Sequence, residues 1–224
     1  MTTVLRQTIA VAQKDLRGEL RSRYALNALG MFVVVVVSVM SFGAWGERLS
    51  SGIIAGLFWT AMFFTGVTGL GRSFVSEEER GTSLLLRQLL PSTPVYVGKL
   101  LVNLILAIVV NLSLALLFSM MVASNRIGAV GSFVSVVVLL SLSFSGALTI
   151  IAALIARAGA KGALYPVLAF PVLLPTILLG VDLLRRSVSG SPLYDMVDDL
   201  ALLALYSMAL ILLGYYLFDY LWKD

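Results

Sequence analysis

The 224 residues include no cysteine and no histidine, and only 12% of them are charged. Without cysteine there are no disulfides and no thiolate chemistry, and without histidine the commonest metal ligand and the usual neutral-pH general base are missing. Soluble domains carry roughly 25% charged residues, and half that number cannot cover a water-facing surface. A secreted disulfide scaffold, a DNA-binding domain and a cytosolic dinucleotide-binding enzyme are therefore excluded. There is also no ATP-binding loop: Gly98-Lys99 is followed by Leu100, and no glycine stands five positions before Gly98. What remains is 59% hydrophobic, which places the chain in a membrane.

A helix rising 1.5 Å per residue needs about 20 apolar residues to cross the hydrocarbon core. Six charge-free runs approach that length, over 24–44, 52–70, 100–122, 130–156, 162–181 and 200–218. The first is flanked by Trp45-Gly46-Glu47 instead of a cleavage signal and reads as a retained span. Six spans leave both termini on one side. That side collects twelve of the sixteen cations, Arg6, Lys14, Arg17, Arg21, Arg23, Arg72, Arg80, Arg87, Lys99, Arg157, Lys161 and Lys223; Arg48, Arg126, Arg185 and Arg186 fall on the other. The positive-inside rule then puts both termini in the cytoplasm. No internal repeat is visible, so residues 1–224 read as a single all-α membrane domain.

Gradient-driven pumps keep buried carboxylates or cations as relays, and these runs contain none, so any uphill movement needs energy from a partner. Ahead of the first run, Leu5, Ile9, Ala12, Leu16 and Leu20 recur at spacings of three and four among Arg6, Lys14, Arg17 and Arg21. Residues 1–23 therefore form an amphipathic helix, either an interfacial anchor on anionic lipid or a docking surface for a cytoplasmic subunit. The connection 71–99 carries Glu77-Glu78-Glu79, Arg80-Gly81-Thr82, an apolar-faced stretch with Leu85 and Leu89, then Pro91 and Gly98-Lys99. This order predicts a charged turn followed by a short helix lying along the membrane surface; the bland reading of the glutamates is a solvated loop.

Glu79-Arg80-Gly81-Thr82, with Leu89-Leu90-Pro91 and Gly98-Lys99 after it, resembles the cytoplasmic loop of type-2 ABC exporter permeases. Lys14-Asp15-Leu16 with Glu19-Leu20-Arg21-Ser22-Arg23 resembles the N-terminal helix of the haem exporter protein B (CcmB) family of cytochrome c maturation, and Pro166, Phe170-Pro171 and Pro175 its penultimate span. The resemblance implies a non-catalytic permease subunit, present in two copies in the bacterial inner membrane and energised by a separate CcmA-like ATPase. It further implies other maturation subunits and a periplasmic haem chaperone as partners. Haem is then a handled substrate and ATP acts through the partner; no cofactor is expected on the chain itself. It assigns Glu77, Glu78, Glu79, Arg80, Gly81, Thr82, Leu85 and Leu89 to ATPase coupling, and Lys14, Asp15, Glu19, Arg21 and Arg23 to a docking helix. The alternatives are an exporter permease for a drug, lipid or polysaccharide, and a force-transmitting scaffold that transports nothing.

Three prolines in one span remove backbone donors that lipid cannot replace, so Pro166, Pro171 and Pro175 mark a bend or a hinge. Gly52 and Gly56, then Gly66, Gly69 and Gly71, favour close helix packing, with a dimer seam as the second reading. Asn103, Asn111, Ser141, Ser145 and Thr149 are the main polar groups within the runs, and interhelical hydrogen bonds account for them. On the outer side, Arg185 and Arg186 stand in a loop over 182–199 and are candidates for contact with a partner.

Overall fold

The computed structural model describes residues 2–21, 23–47, 49–70, 74, 77–78, 81–122, 127–157 and 164–223. Among these, regular structure is entirely helical: α1 (Thr2–Arg21), α2 (Arg23–Gly43), α3 (Ser51–Gly69), α4 (Ser83–Leu89), α5 (Ser92–Met121), α6 (Val130–Arg157), α7 (Leu164–Val188) and α8 (Val197–Lys223). Helices α3, α5, α6, α7 and α8 are long and apolar enough to cross a membrane, whereas α2 carries a shorter apolar stretch, Asn27–Gly43.

Helix α6 is the hub. It is the most deeply buried of the five and packs against α5, α7 and α8, with α3 touching it directly through Gly66 and Trp59. Its sequence explains the position: Ser141, Ser143, Ser145, Gly146, Ala147, Ala152 and Ala153 keep its surface shallow, so neighbouring backbones approach closely. Polar side chains then pair across the contacts. Asn103 donates to Thr149 Oγ1 at 2.8 Å and Asn111 to Ser141 Oγ at 2.9 Å, both joining α5 to α6. Ser143 and Ser207 meet at 2.5 Å between α6 and α8, and Ser145 donates to the Leu100 carbonyl. Asn103, Asn111, Ser141, Ser145 and Thr149 are thus engaged in hydrogen bonds between helices, as expected, whereas the buried Thr176 hydroxyl of α7 has no partner among the described residues. Gly66 and Gly69 also pack closely, against Phe144 and Leu148 and against Leu29; Gly56, by contrast, has open space around it within the chain.

Two boundaries differ from the sequence reading. Helix α5 begins at Ser92, so Lys99 lies inside a helix rather than at the end of a loop. Helix α7 continues to Val188, so Asp182, Arg185 and Arg186 occupy its last two turns rather than a loop. Both extensions carry charges that a hydropathy count stops at, and the helices tolerate them because each charge is paired. Pro171 and Pro175 lie in the interior of α7, and Pro166 stands in its first turn, where a missing N–H breaks no helical bond. Beside the interior prolines, the Tyr206 hydroxyl of α8 donates to the Val172 carbonyl.

At the end opposite α1, the turns preceding α6 and following α7 touch backbone to backbone. Gly128 and Ala129 donate to the carbonyls of Val188 and Ser187 at 3.0 and 3.1 Å. A β-carbon at Gly128 would lie 2.6 Å from the Gly190 Cα, so the approach requires glycine.

Candidate functional site

The charged residues at the α1 end assemble from three distant segments. One face of α1 lies on the first turns of α5, where Gly98 admits it: a β-carbon there would sit 2.9 Å from Val11 Cβ and 3.0 Å from the Thr8 carbonyl. This docking carries Asp15 to Lys99. Lys99 Nζ, whose side chain is 0% exposed, stands 2.9 Å from Asp15 Oδ2 and 2.9 Å from Glu77 Oε2. Lys14, half exposed at the rim, pairs with Glu77 and lies 3.3 Å from Asp15 Oδ1. Burial by itself would depress the Lys14 amine; its hydrogen bond to Glu77 and the charges of Asp15 and Glu77 outweigh that, and it is held above the ordinary lysine value.

Two cations and two carboxylates therefore neutralise one another at the junction of α1, the 77–82 turn and α5. Burying charge is tolerable only with such pairing. The underside is aromatic. Lys99 Nζ lies 4.7 Å from the Phe74 ring centroid, Phe74 packs on Phe218 at 5.4 Å, and Phe218 on Trp222 at 5.1 Å. The Arg87 guanidinium of α4 lies 5.5 Å from the Trp222 ring, and Trp222 Nε1 donates to the Leu90 carbonyl at 3.1 Å. An unbroken chain of contacts thus runs from α4 through the end of α8 to the charge cluster and α1.

The turn before α4 is built locally. The amide and hydroxyl of Thr82 donate to the Glu77 carbonyl at 3.0 and 3.3 Å, Gly81 N–H donates to the Glu78 carbonyl at 3.0 Å, and Gly81 has φ +67°, a left-handed conformation that favours glycine. Helix α4 then presents Leu85 and Leu89, one turn apart and both exposed, while Arg87 turns back toward Trp222. Burial pulls the Arg87 guanidinium below its ordinary value, with Arg157 adding and Glu78 opposing, and it remains charged.

The sequence-predicted residues separate accordingly. Glu77, placed in one predicted group, and Lys14 and Asp15, placed in another, come together on Lys99. Glu78, Gly81, Thr82, Leu85 and Leu89 remain at the surface, as does Arg21, and Glu19 is half-buried. Glu79 and Arg80 lie outside the described residues, as does the side chain of Arg23. Arg185 and Arg186 stand at the opposite end, where Asp182 accepts from both at 2.6 Å and Arg186 also reaches Asp199 at 2.9 Å. Sequence reasoning named Lys99 only as a cation at the end of the 71–99 connection and gave no role to Phe74, Phe218 or Trp222. The available signal for Lys99 was its place seven residues into a helix that Pro91 opens, on a stretch otherwise free of charge until Met121.

A search of the curated proteins finds no match to the chain. The family model described as CcmB protein matches residues 6–218, which takes in most of α1, the charge cluster, the turn before α4 and all or most of each long apolar helix. The chain therefore belongs to the CcmB family, as the permease component of the ABC haem exporter of cytochrome c biogenesis, a multi-pass membrane protein whose ATP hydrolysis takes place in the CcmA partner subunit.

Proposed function

We propose that α4 and the turn before it take up the motion of the ATPase subunit and pass it to α8 and α1 through the aromatic chain and the charge cluster. The observation that carries this reading is the two-sidedness of α4: Leu85 and Leu89 face outward, exposed among the described residues, while Arg87 is tied to Trp222. An apolar pair on a short exposed helix, with Glu78 beside it, fits a cleft that is apolar at its floor and basic at its edge. Displacing α4 moves Trp222 and with it the end of α8, because packed rings transmit displacement instead of absorbing it. The Lys99 cluster ties α1 and the 77–82 turn to α5, so the three move as one body.

In this reading α2 crosses the membrane with the five longer helices, giving six spans of the type-2 ABC exporter kind. The twelve-to-four division of cations supports a cytoplasmic location for both ends of the chain, in the bacterial inner membrane. Two copies work with two ATPase subunits, alongside other maturation subunits, since a nucleotide sandwiched between two ATPases requires two docking elements. Arg185 and Arg186, held by Asp182 and Asp199 yet partly exposed, form a charged outer patch whose guanidinium groups can turn to a periplasmic haem chaperone or to haem propionates. Helix α7, with Pro171 and Pro175 in its interior, supplies the flexible element between the two ends.

The test separates docking from transmission. Leu85→Glu with Leu89→Glu places charge on exposed positions, leaving insertion and folding intact while abolishing co-purification with the ATPase subunit. Trp222→Leu is expected to keep that association and to lose ATP-dependent haem delivery. Undiminished association of the double glutamate variant would remove α4 from the ATPase interface.

A further inference from the structure

Helix α1 has three longitudinal sectors, and only one of them is used by the fold. At about 100° per residue, Val4, Thr8, Val11 and Asp15 fall on one side. Thr8, Val11 and Asp15 are buried there against α5. The apolar stripe that the three- and four-residue spacing picks out points elsewhere: Leu5 is 63% exposed, Leu20 59% and Ile9 45%. Beyond that stripe, on the side away from α5, come Arg6, Arg17 and Arg21, all exposed. Of the two acidic residues of the helix, Asp15 is committed to Lys99 and Lys14, and Glu19 is half-buried, nearer the docked side than the arginines are. Among the described residues, an apolar stripe bordered on one side by three like charges is thus left uncovered at the entrance to α2.

We infer that this face of α1 is a binding surface for acidic phospholipid, with Leu5, Ile9 and Leu20 in the acyl region and Arg6, Arg17 and Arg21 on the headgroup phosphates. Charge decides the occupant. A stripe covered by a second copy of the chain would bring the arginines of two α1 helices together, and a soluble partner would leave three leucine- and isoleucine-sized side chains to find a separate apolar groove. A leaflet of acidic lipid satisfies the stripe and the cations at once, because hydrocarbon and phosphate lie within one helix radius of each other at its surface. The inference stands independently of the ATPase reading, since the residues involved belong to neither α4 nor the charge cluster. It has a consequence for that cluster all the same: Asp15 and Lys14 sit on the same rigid helix, so acidic lipid holds α1 in the position that places them on Lys99 and Glu77.

The chain lacks cysteine, so one thiol-reactive fluorophore can be placed at Leu20→Cys without background. The full-length protein is reconstituted in vesicles of phosphatidylcholine and phosphatidylglycerol in equal amounts, with bromine on the acyl chains of one lipid or the other. Brominated phosphatidylglycerol is expected to quench the α1 label more strongly than brominated phosphatidylcholine. That preference should fall about fivefold for each of Arg6→Gln, Arg17→Gln and Arg21→Gln, the effect of about 1 kcal/mol per cation near an acidic surface. Arg→Lys at the same positions should preserve it. A label at Tyr194→Cys, at the opposite end of the bundle, should show no dependence on the arginines. Equal quenching by both lipids would overturn the headgroup assignment, and no quenching by either would show that water or protein covers the stripe, overturning the inference as a whole.

Discussion

Replacing Lys99 with methionine keeps the length of the side chain and removes its charge. Asp15 and Glu77, whose side chains are 7% and 11% exposed, then face one another with only Lys14, half exposed, to neutralise them. Removing one partner of a buried ion pair costs about 3–5 kcal/mol because the remaining charge stays desolvated. Lys14 offsets part of this, so the lower value, about 3 kcal/mol, applies; for a chain of this size it corresponds to a fall of about 6–12 °C in melting temperature. The wild-type and variant proteins are purified in the same detergent and their unfolding followed by tryptophan fluorescence. The decisive comparison is with Asp15→Asn, Glu77→Gln and Lys99→Met combined, which removes every unpaired buried charge. It is expected to recover most of the loss, since neutral groups of similar shape replace a buried pair at little cost. If Lys99→Met melts with the wild type, or if the triple variant melts no higher than Lys99→Met alone, the cluster is not what holds α1 to α5.

Gly214→Ala places a β-carbon against the Tyr96 hydroxyl and is expected to cost about 1–3 kcal/mol by overpacking, with Tyr96→Phe restoring part of the stability in a thermal melt. A double-mutant cycle of Asn111→Ala and Ser141→Ala should give a coupling near 0.6 kcal/mol, as for buried hydrogen bonds between membrane helices, and no coupling would show that the 2.9 Å contact is not populated. Because the Lys14 amine is held above its ordinary value, its contribution is complete below about pH 10.4 and declines only as pH rises through the higher folded value; the melting temperature should therefore show no Lys14-dependent change between neutrality and pH 10, which comparison with Lys14→Met measures. For topology, a thiol at Tyr194→Cys should react with an impermeant reagent from the periplasmic side and one at Ser83→Cys should not, and the reverse pattern would move α4 away from the ATPase.

The membrane class, the helical fold and the five long apolar helices were legible in the residues alone because hydropathy is a local property: a stretch such as 130–156 is apolar whatever surrounds it. Legible for the same reason were the glycine-closed turn at Gly81, whose positive φ follows from its own backbone, and the family, whose motifs are contiguous strings. The partners of the charges were not legible. Lys99 lies 84 residues from Asp15 and 22 from Glu77, and its role depends on α1 folding back onto α5, which only the fit of Val11 against Gly98 brings about. The two groups into which the sequence sorted Lys14, Asp15 and Glu77 were accordingly one cluster in space. Periodicity also named an apolar face on α1 but could not say what that face meets: the side that packs on the protein is the one with Thr8, Val11 and Asp15, and the leucines are left for another neighbour. A helical repeat fixes which residues share a face, whereas only the packing of helices decides which face touches protein and which touches lipid.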